Sequence, residues 1–454
     1  MARTSKKQKE LTPEEKLAQA LVPVEDQPYP IPENWCWVYL IGGFSECLDG
    51  FRKPINATER ANREGSIPYY GATGQVGWIN DYLTNDELVL LGEDGAPFLD
   101  LSKDKAYLIS GKAWVNNHAH ILKSFYGHTG NVYLMNYLNI FNYDGYVNGT
   151  TRLKLTQASM KKMPVPLPPL AEQQRIVDRI ESLFSKLDEA KEKAQSFIDS
   201  YEDRKSAIMY QAFSGKLTKL WRERKSLSVD SWKRMTVKDV CKEVKVGIVI
   251  KPAKYYTSKE LGTAAFRSAN VREFFVDSSE WVYLDEKGMN DNRRSIVHSG
   301  DVLIVRSGNP GTACVVQEQY EGFNAIDVLI AVPNKNWITS DYLCAFTNSP
   351  MGRKLVSENK RGMALAHFNV GSYSKLSLYV PSIEEQNVIT TLLFELLECE
   401  KIAKEKAEQV LKNVDEIKKS ILIQAFCGHL GTSDSNDEPA NALLERILNS
   451  QGGL

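Results

Sequence analysis

Residues Pro168–Ile176 read PPLAEQQRI, and Pro381–Ile389 read PSIEEQNVI. At one constant offset, the one that carries Pro168 onto Pro381, Gly149 lies over Gly362, Leu155 over Phe368, Lys162 over Lys375, Glu172 over Glu385 and Gln173 over Gln386. The register still holds where QAFSGKL (Gln211–Leu217) meets QAFCGHL (Gln424–Leu430), so about 70 residues repeat without a gap. Each copy opens with a proline, tolerated where a helix leaves its first amides unpaired, and with a carboxylate suited to the positive end of the helix dipole. Gly215 and Gly428 stand where a helix C-terminus favours glycine. Any fold for this chain must therefore contain two long, equivalent helices.

The interiors of the two copies agree with that reading. Ile176, Ile180, Leu183, Leu187, Ala190, Ala194, Phe197 and Tyr201 step by fours and threes, and Ile208 rejoins the series after Arg204. The second copy runs through Ile389, Leu393, Leu396, Ala403, Ala407, Val410, Val414, Ile417 and Ile421, with Glu400 the exception. This is the a/d spacing of a coiled coil. The predicted packing positions are Ile176, Ile180, Leu183 and Leu187 on one helix and Ile389, Leu393, Leu396 and Val410 on the other. At about 1.5 Å per residue, each rod would be roughly 60 Å long.

A second, fainter repeat precedes each rod. Trp35 matches Trp232 and Tyr69 matches Phe266 at a smaller offset, so the second block gains about sixteen positions before the two rods come into register. Short apolar runs such as ELVLL (Glu87–Leu91) and DVLIV (Asp301–Val305), each leading to a glycine-bearing turn, read as strands. A length of 454 residues with 43% hydrophobic content allows about three domains with real cores. The N-terminus lacks the apolar core of a signal peptide, and no run approaches the ~18 apolar residues of a membrane span, which predicts a cytoplasmic protein. Seven scattered cysteines, with no CxxC, predict reduced and mostly buried thiols.

PLPPLAEQQRI after the first block and the closing QAFSGKLTKLWR resemble the specificity subunit of type I restriction-modification enzymes; GEDGAPF (Gly92–Phe98) and WVNNHAHIL (Trp114–Leu122) are similar to segments of its target recognition domains. The resemblance implies an α+β fold in which two globular target recognition domains alternate with two long helices paired as an antiparallel coiled coil, related by a pseudo-twofold internal repeat. On this basis residues 1–32 form an N-terminal extension, 33–167 the first recognition domain, 168–217 a spacer helix, 218–229 a linker, 230–380 the second recognition domain, 381–430 the second spacer helix and 431–454 a polar tail with a short helix. The resemblance also implies that the chain is not catalytic by itself. Each domain would read half of a bipartite double-stranded DNA target, two modification (methyltransferase) subunits would dock on the frame, and restriction (helicase-nuclease) subunits would complete the complex. S-adenosylmethionine, ATP and Mg would sit on those partners, with no cofactor on this chain and no membrane contact. The rod pair would set the spacer between half-sites, and the helix opening would recur because two identical subunits dock on it.

Motifs for catalysis are absent from the sequence: no Asn-Pro-Pro-aromatic tetrapeptide, no G-x-x-x-x-G-K-[ST] loop, no Pro-Asp dipeptide. His118 and His120, two apart on a predicted strand, lack an evident third ligand, so no metal is expected. Asp285-Glu286-Lys287 reads as a solvated turn. Base readout favours planar or bidentate donors on loops. The candidates are Tyr69, Tyr70, Thr73, Gln75, Asn116, Asn117, His118, His120 and Arg152 in the first block, and Arg267, Asn270, Arg272, Arg293, Arg294, Arg306, Asn309, Lys360 and Arg361 in the second. Net charge of −1 speaks against a simple DNA binder. Glu33–Thr150 holds 8 basic and 13 acidic residues, whereas Asp230–Val380 holds 20 and 16, so phosphate contacts for the first block would have to come from partner subunits. A coiled-coil scaffold without DNA contact, and an enzyme with an unfamiliar site, are the alternatives.

Overall fold

The computed structural model describes residues 12–358 and 368–450 and divides into two compact units, one of residues 1–194 with 409–454 and one of residues 195–408. Lys360, Arg361 and Gly362 lie outside the described residues.

In the first unit Cys36–Tyr39 pairs antiparallel with Pro164–Leu167, closing the block on itself just before the helix opening. Inside it, one four-stranded sheet has the order Ser45–Cys47, Ala119–Ser124, Leu88–Gly92, Ala106–Ile109, all antiparallel. A second has the order Gly74–Ile79, Ile67–Gly71, Lys112–Val115, Thr84–Asn85, with Tyr69 and Tyr70 parallel to Trp114 and Val115. The second unit repeats this plan. Lys233–Thr236 pairs with Ser377–Val380, one sheet runs Cys241–Val246, Val328–Pro333, Val302–Val305, Ala313–Val315, and another again contains one parallel pair, Thr263–Phe266 with Asn324–Ala325. The apolar runs ELVLL and DVLIV become central strands whose residues are buried on both faces, Leu88–Gly92 and Val302–Val305, which is why they read as continuous rather than alternating. Even single bonds repeat: Leu155 N donates to Glu93 O at 2.8 Å, and at the corresponding place in the second copy Phe368 N donates to Arg306 O at 3.4 Å.

The long helices run Leu170–Asp199, continued by Tyr201–Phe213, and Ile383–Phe426 without interruption. Within the first unit Asp188 meets Lys418 at 2.6 Å and Lys191 meets Asp415 at 3.3 Å; within the second, Arg204 meets Glu400 at 2.8 Å and Lys404 lies over the Tyr201 ring. In each case one number rises as the other falls, so the helices pair antiparallel. Ile176, Ile180, Ile389 and Leu393 are fully buried, and Leu183 and Leu187 half-buried, as predicted. Leu396 and Val410 are not: each is 39% exposed, and Ile417 is exposed as well. The seam of the second helix instead follows Leu393, Leu397, Glu400, Lys404, Ala407, Leu411, Val414 and Lys418. Its period is the expected one, but every second position falls one residue later, onto Leu397, Lys404, Leu411 and Lys418; at two of these a basic stem lies across an aromatic ring, Lys404 over Tyr201 and Lys418 over Phe184.

The two apparent exceptions in the heptads, Arg204 and Glu400, are partners. Arg204 Nε donates to Glu400 Oε2, and its Nη1 reaches Phe197 O at 2.9 Å and Ser200 Oγ at 2.6 Å, at the point where the first helix breaks.

The repeated helix opening is a joint within each unit. Glu172 and Gln173 are fully buried, as are Glu385 and Gln386, so these side chains are not a docking surface for another subunit. Gln173 Nε2 and Gln386 Nε2 donate back to Pro168 O and Pro381 O at 3.0 and 2.9 Å. Glu172 Oε2 accepts from the indole of Trp35 at 2.9 Å and Oε1 from Thr432 at 3.2 Å; Glu385 Oε2 accepts from the indole of Trp232 at 3.0 Å and Oε1 from Thr218 at 2.8 Å. One carboxylate thus ties the start of a block to the loop that follows the end of a helix. Gly215 and Gly428 hold positive φ, 75° and 73°, and leave no room for a side chain: a Cβ on Gly215 would stand 2.8 Å from Val229, and one on Gly428 would run into the Pro32 ring. The copies differ in one respect. Glu385 also accepts from Arg222 Nη1 at 2.6 Å, a cation that Glu172 lacks as a direct partner among the described residues.

After the second long helix, the chain packs back on the first unit. Ala440–Ser450 is a helix whose Ala440, Leu443, Leu444 and Leu448 join the first unit's core beside Leu17 of the helix Pro13–Ala20. Asp285-Glu286-Lys287 is not a bare turn either, since Asp285 caps the helix Glu286–Asp291.

Candidate nucleic-acid interface

Four loops of the first unit line one open groove: the hairpin turn after Ile67–Gly71, the loop after Leu88–Gly92, the loop between Lys112–Val115 and Ala119–Ser124, and residues 151–153. They bring together Thr73, Asn116, His118 and Arg152, with Asp94 among them. Thr73, Gln75, Asn117 and Arg152 are exposed, and Tyr70 is half-buried against Tyr107.

Two of the first-block candidates are held away from any ligand. Tyr69 is 2% exposed, packed with Ile79 and Trp114 on one face and under the Arg60 guanidinium on the other. His120 is 1% exposed, its Nδ1 2.7 Å from Asp49 Oδ2 and its Nε2 3.0 Å from Leu155 O. Both are core residues because they alternate inward on strands covered on that face. Asn116 is also nearly buried, and its Oδ1 accepts from the His118 amide at 2.8 Å, shaping the turn.

The two histidines serve different carboxylates. His118, in the loop before the strand, lies 3.6 Å from Asp94, whereas His120 belongs to a cluster with Asp49 and Glu93 whose ligand-type atoms lie within 4.8 Å of one another. The sequence hides this third-ligand geometry because Asp49 stands on a distant stretch of chain, before the first recognition sheet is half built. Arg52 occupies the cluster, paired to Asp49 at 2.9 Å and to Glu93, and Lys154 approaches Glu93 at 3.1 Å, so the charges are already balanced by protein cations. Burial alone would raise the Asp49 carboxyl. The hydrogen bond and charge of His120, with the Gln157 amide and the Ile121 N–H, outweigh it and hold the group at about 2.

The second block has its counterpart loops, with reversed charge. Arg306 stands where the first block has Glu93, and its guanidinium is turned inward, pairing with Asp327 at 2.8 Å and donating to Phe368 O at 3.3 Å with 13% of the side chain exposed. Asn270 is 2% exposed and spends its amide on Asp277 O, Glu280 O and the Arg267 N–H. Those two are therefore fold-supporting. Arg272 pairs with Asp277 at 3.1 Å, Arg293 donates to Asn290 at 2.8 Å, and exposed Asn309 accepts from Arg353 at 3.4 Å. Arg267 is half-buried, 3.9 Å from Glu280. Arg294 is 91% exposed and lies 3.6 Å from Glu243.

The family model described as the type I restriction modification DNA specificity domain matches residues 32–196. That stretch, the first block and the start of the first long helix, is similar to type I specificity domains. The chain is 34% identical over 139 residues to a putative specificity subunit, S.HindORF215P, of Haemophilus influenzae, an alignment that spans 30% of this chain and 34% of that relative. It is 23% identical over 342 residues to the EcoBI specificity subunit of Escherichia coli, spanning 72% and 71% of the two chains. Its fold is shared with the crystal structure of the HsdS subunit from Thermoanaerobacter tengcongensis, with a TM-score of 0.62 and 15% identity over 88% of this chain and 99% of that one. Among the described residues, no helix is long and apolar enough to cross a membrane.

Proposed function

We propose that this chain is a type I specificity subunit that reads a bipartite double-stranded DNA sequence, one half per recognition block, and directs adenine methylation and restriction carried out by partner subunits in the cytoplasm. The observation that carries the proposal is the duplicated frame: two blocks of one topology, each locked by the same buried carboxylate joint, presenting loops whose charge and side chains differ. A common frame with divergent loops is what two independent readers of different sequences need. The chain itself is non-catalytic in this reading. Two modification subunits bring S-adenosylmethionine, restriction subunits bring ATP and Mg chemistry, and this chain holds none of them. The first block's excess of acid makes added phosphate contacts from a modification subunit necessary for tight binding. Lys360 and Arg361 are proposed to be among the DNA-contacting residues of the second block. The test is a gel-shift of the chain with its modification subunit on a random-sequence DNA pool. Enrichment of a motif with two fixed halves is expected, and a complex that assembles but selects no sequence refutes the proposal.

A further inference from the structure

We infer that Arg152 reads a guanine in the half-site of the first block, with Asp94 as the residue that positions it; this rests on the DNA-reading proposal above. Arg152 lines the groove and is 60% exposed. Its one ion pair among the described residues is Nε to Asp94 Oδ1 at 2.6 Å, and it makes no hydrogen bond to any other described residue. With its paired carboxylate oxygen beside Nε, the guanidinium keeps Nη1 and Nη2 for a ligand. Two parallel N–H donors match O6 and N7 of guanine in the major groove.

Asp94 is itself held. Its side chain is 23% exposed, and its second oxygen faces His118 Nδ1 at 3.6 Å. Gly95 leaves the space that the guanidinium occupies: a Cβ there would lie 3.1 Å from Arg152 Nε. Three neighbours in the GEDGAPF and WVNNHAHIL segments thus fix the direction of one long side chain. An oriented fork can also take a phosphate bidentately, and the base-substitution series below separates the two contacts.

The fold does not require the pair. The backbone bond beside it recurs in the second block, from Phe368 to Arg306, yet in the same register Ser307 and Leu365 stand where the first block has Asp94 and Arg152. The frame is kept while the ion pair belongs to one block, as expected of a group that carries sequence information.

The test uses the complex of the full chain with its modification subunit, and measures relative binding to oligonucleotides in which each base pair of the target is replaced in turn. Arg152→Ala should lose about 5- to 150-fold of discrimination at a single G·C pair in one half-site, leaving the other half unchanged. Arg152→Lys, which lacks the planar fork, should restore it only in part, and Arg152→Gln should move the preference at that pair toward adenine. Asp94→Asn should weaken discrimination at the same pair with unchanged unfolding of the protein. A uniform loss of affinity for every sequence, with a shallower salt dependence, would make Arg152 a phosphate contact and overturn the inference, as would unaltered discrimination. If the unsubstituted complex shows no sequence preference at all, the DNA-reading proposal fails first, and this inference with it.

Discussion

Glu385→Ala and Glu172→Ala remove the same group from the same joint but should not cost the same. Glu385 is buried and accepts from Trp232, Thr218 and Arg222, whose side chain is only 7% exposed. Removing it strands a buried guanidinium that keeps only Thr218 Oγ1, Gly215 O and the face of the Trp232 ring. An uncompensated buried charge costs about 3–5 kcal/mol, and the orphaned indole N–H adds about 1–3 kcal/mol. Glu172→Ala strands two neutral donors, Trp35 Nε1 and Thr432 Oγ1, at about 1–3 kcal/mol each, with no stranded charge beside them. The double change Arg222→Met with Glu385→Gln should recover most of the difference, because it removes the charge together with its partner. Denaturant unfolding followed by tryptophan fluorescence measures each value. Equal losses for the two alanine variants, or no recovery in the double variant, would refute the reading of Arg222 as the counter-charge of the joint.

Other consequences follow from the same contacts. Arg204→Ala should destabilise the second unit, whereas Arg204→Met with Glu400→Leu should be close to neutral, since the pair is half-desolvated and its replacement fills the seam; a double-mutant cycle reads the coupling. Asp49, held at about 2 against ~3.9 in the unfolded chain, contributes about 2 kcal/mol that is fully present above about pH 5 and lost as pH falls through about 2; acid titration of stability should lose that slope in Asp49→Asn. Duplicating four residues after Lys193 adds about 6 Å to the first helix. Base pairs are spaced by about 3.4 Å, so the gap between unchanged half-sites should grow by one or two; active enzyme that keeps the original gap would contradict a ruler role for the helices.

The frame was legible in the sequence wherever one feature had to be written twice. The constant offset between the rods, the closing glycines and the pairing of Trp35 with Trp232 all mark parts of the joint. Its purpose was not legible: Glu172 looks like a solvated helix-start carboxylate until Trp35 and Thr432, far off on either side in the chain, are seen to cover it. Arg204 and Glu400 looked like two faults in two heptads, because sequence periodicity treats each helix alone and cannot cancel one charge against another. The seam of the second helix falls one residue later than an aliphatic heptad predicts: at Ala403 and Ile417 the packing positions pass to Lys404 and Lys418, whose stems cross aromatic rings, and at Leu396 and Val410 to the neighbouring Leu397 and Leu411, between which periodicity alone cannot choose. In the recognition blocks, residue type found Thr73, Asn116, His118 and Arg152, which share a groove. It could not separate them from Tyr69, His120, Asn270 and Arg306, since burial on a strand or in a turn depends on distant cover. Asp94 carries no signal of its own in the sequence, since an acid is a poor DNA ligand and its pairing with Arg152 joins distant stretches of chain.

The central claim is that each block reads one half of the target independently on a common frame. Replacing residues from about Trp232 to Lys360 with the matching block of a relative, keeping both helices and the Glu385 joint, and mapping the adenines methylated by the chimera with its modification subunit tests it most directly. A target with one half changed, and the other half and the gap unchanged, is the predicted result; a target changed in both halves would contradict independent reading.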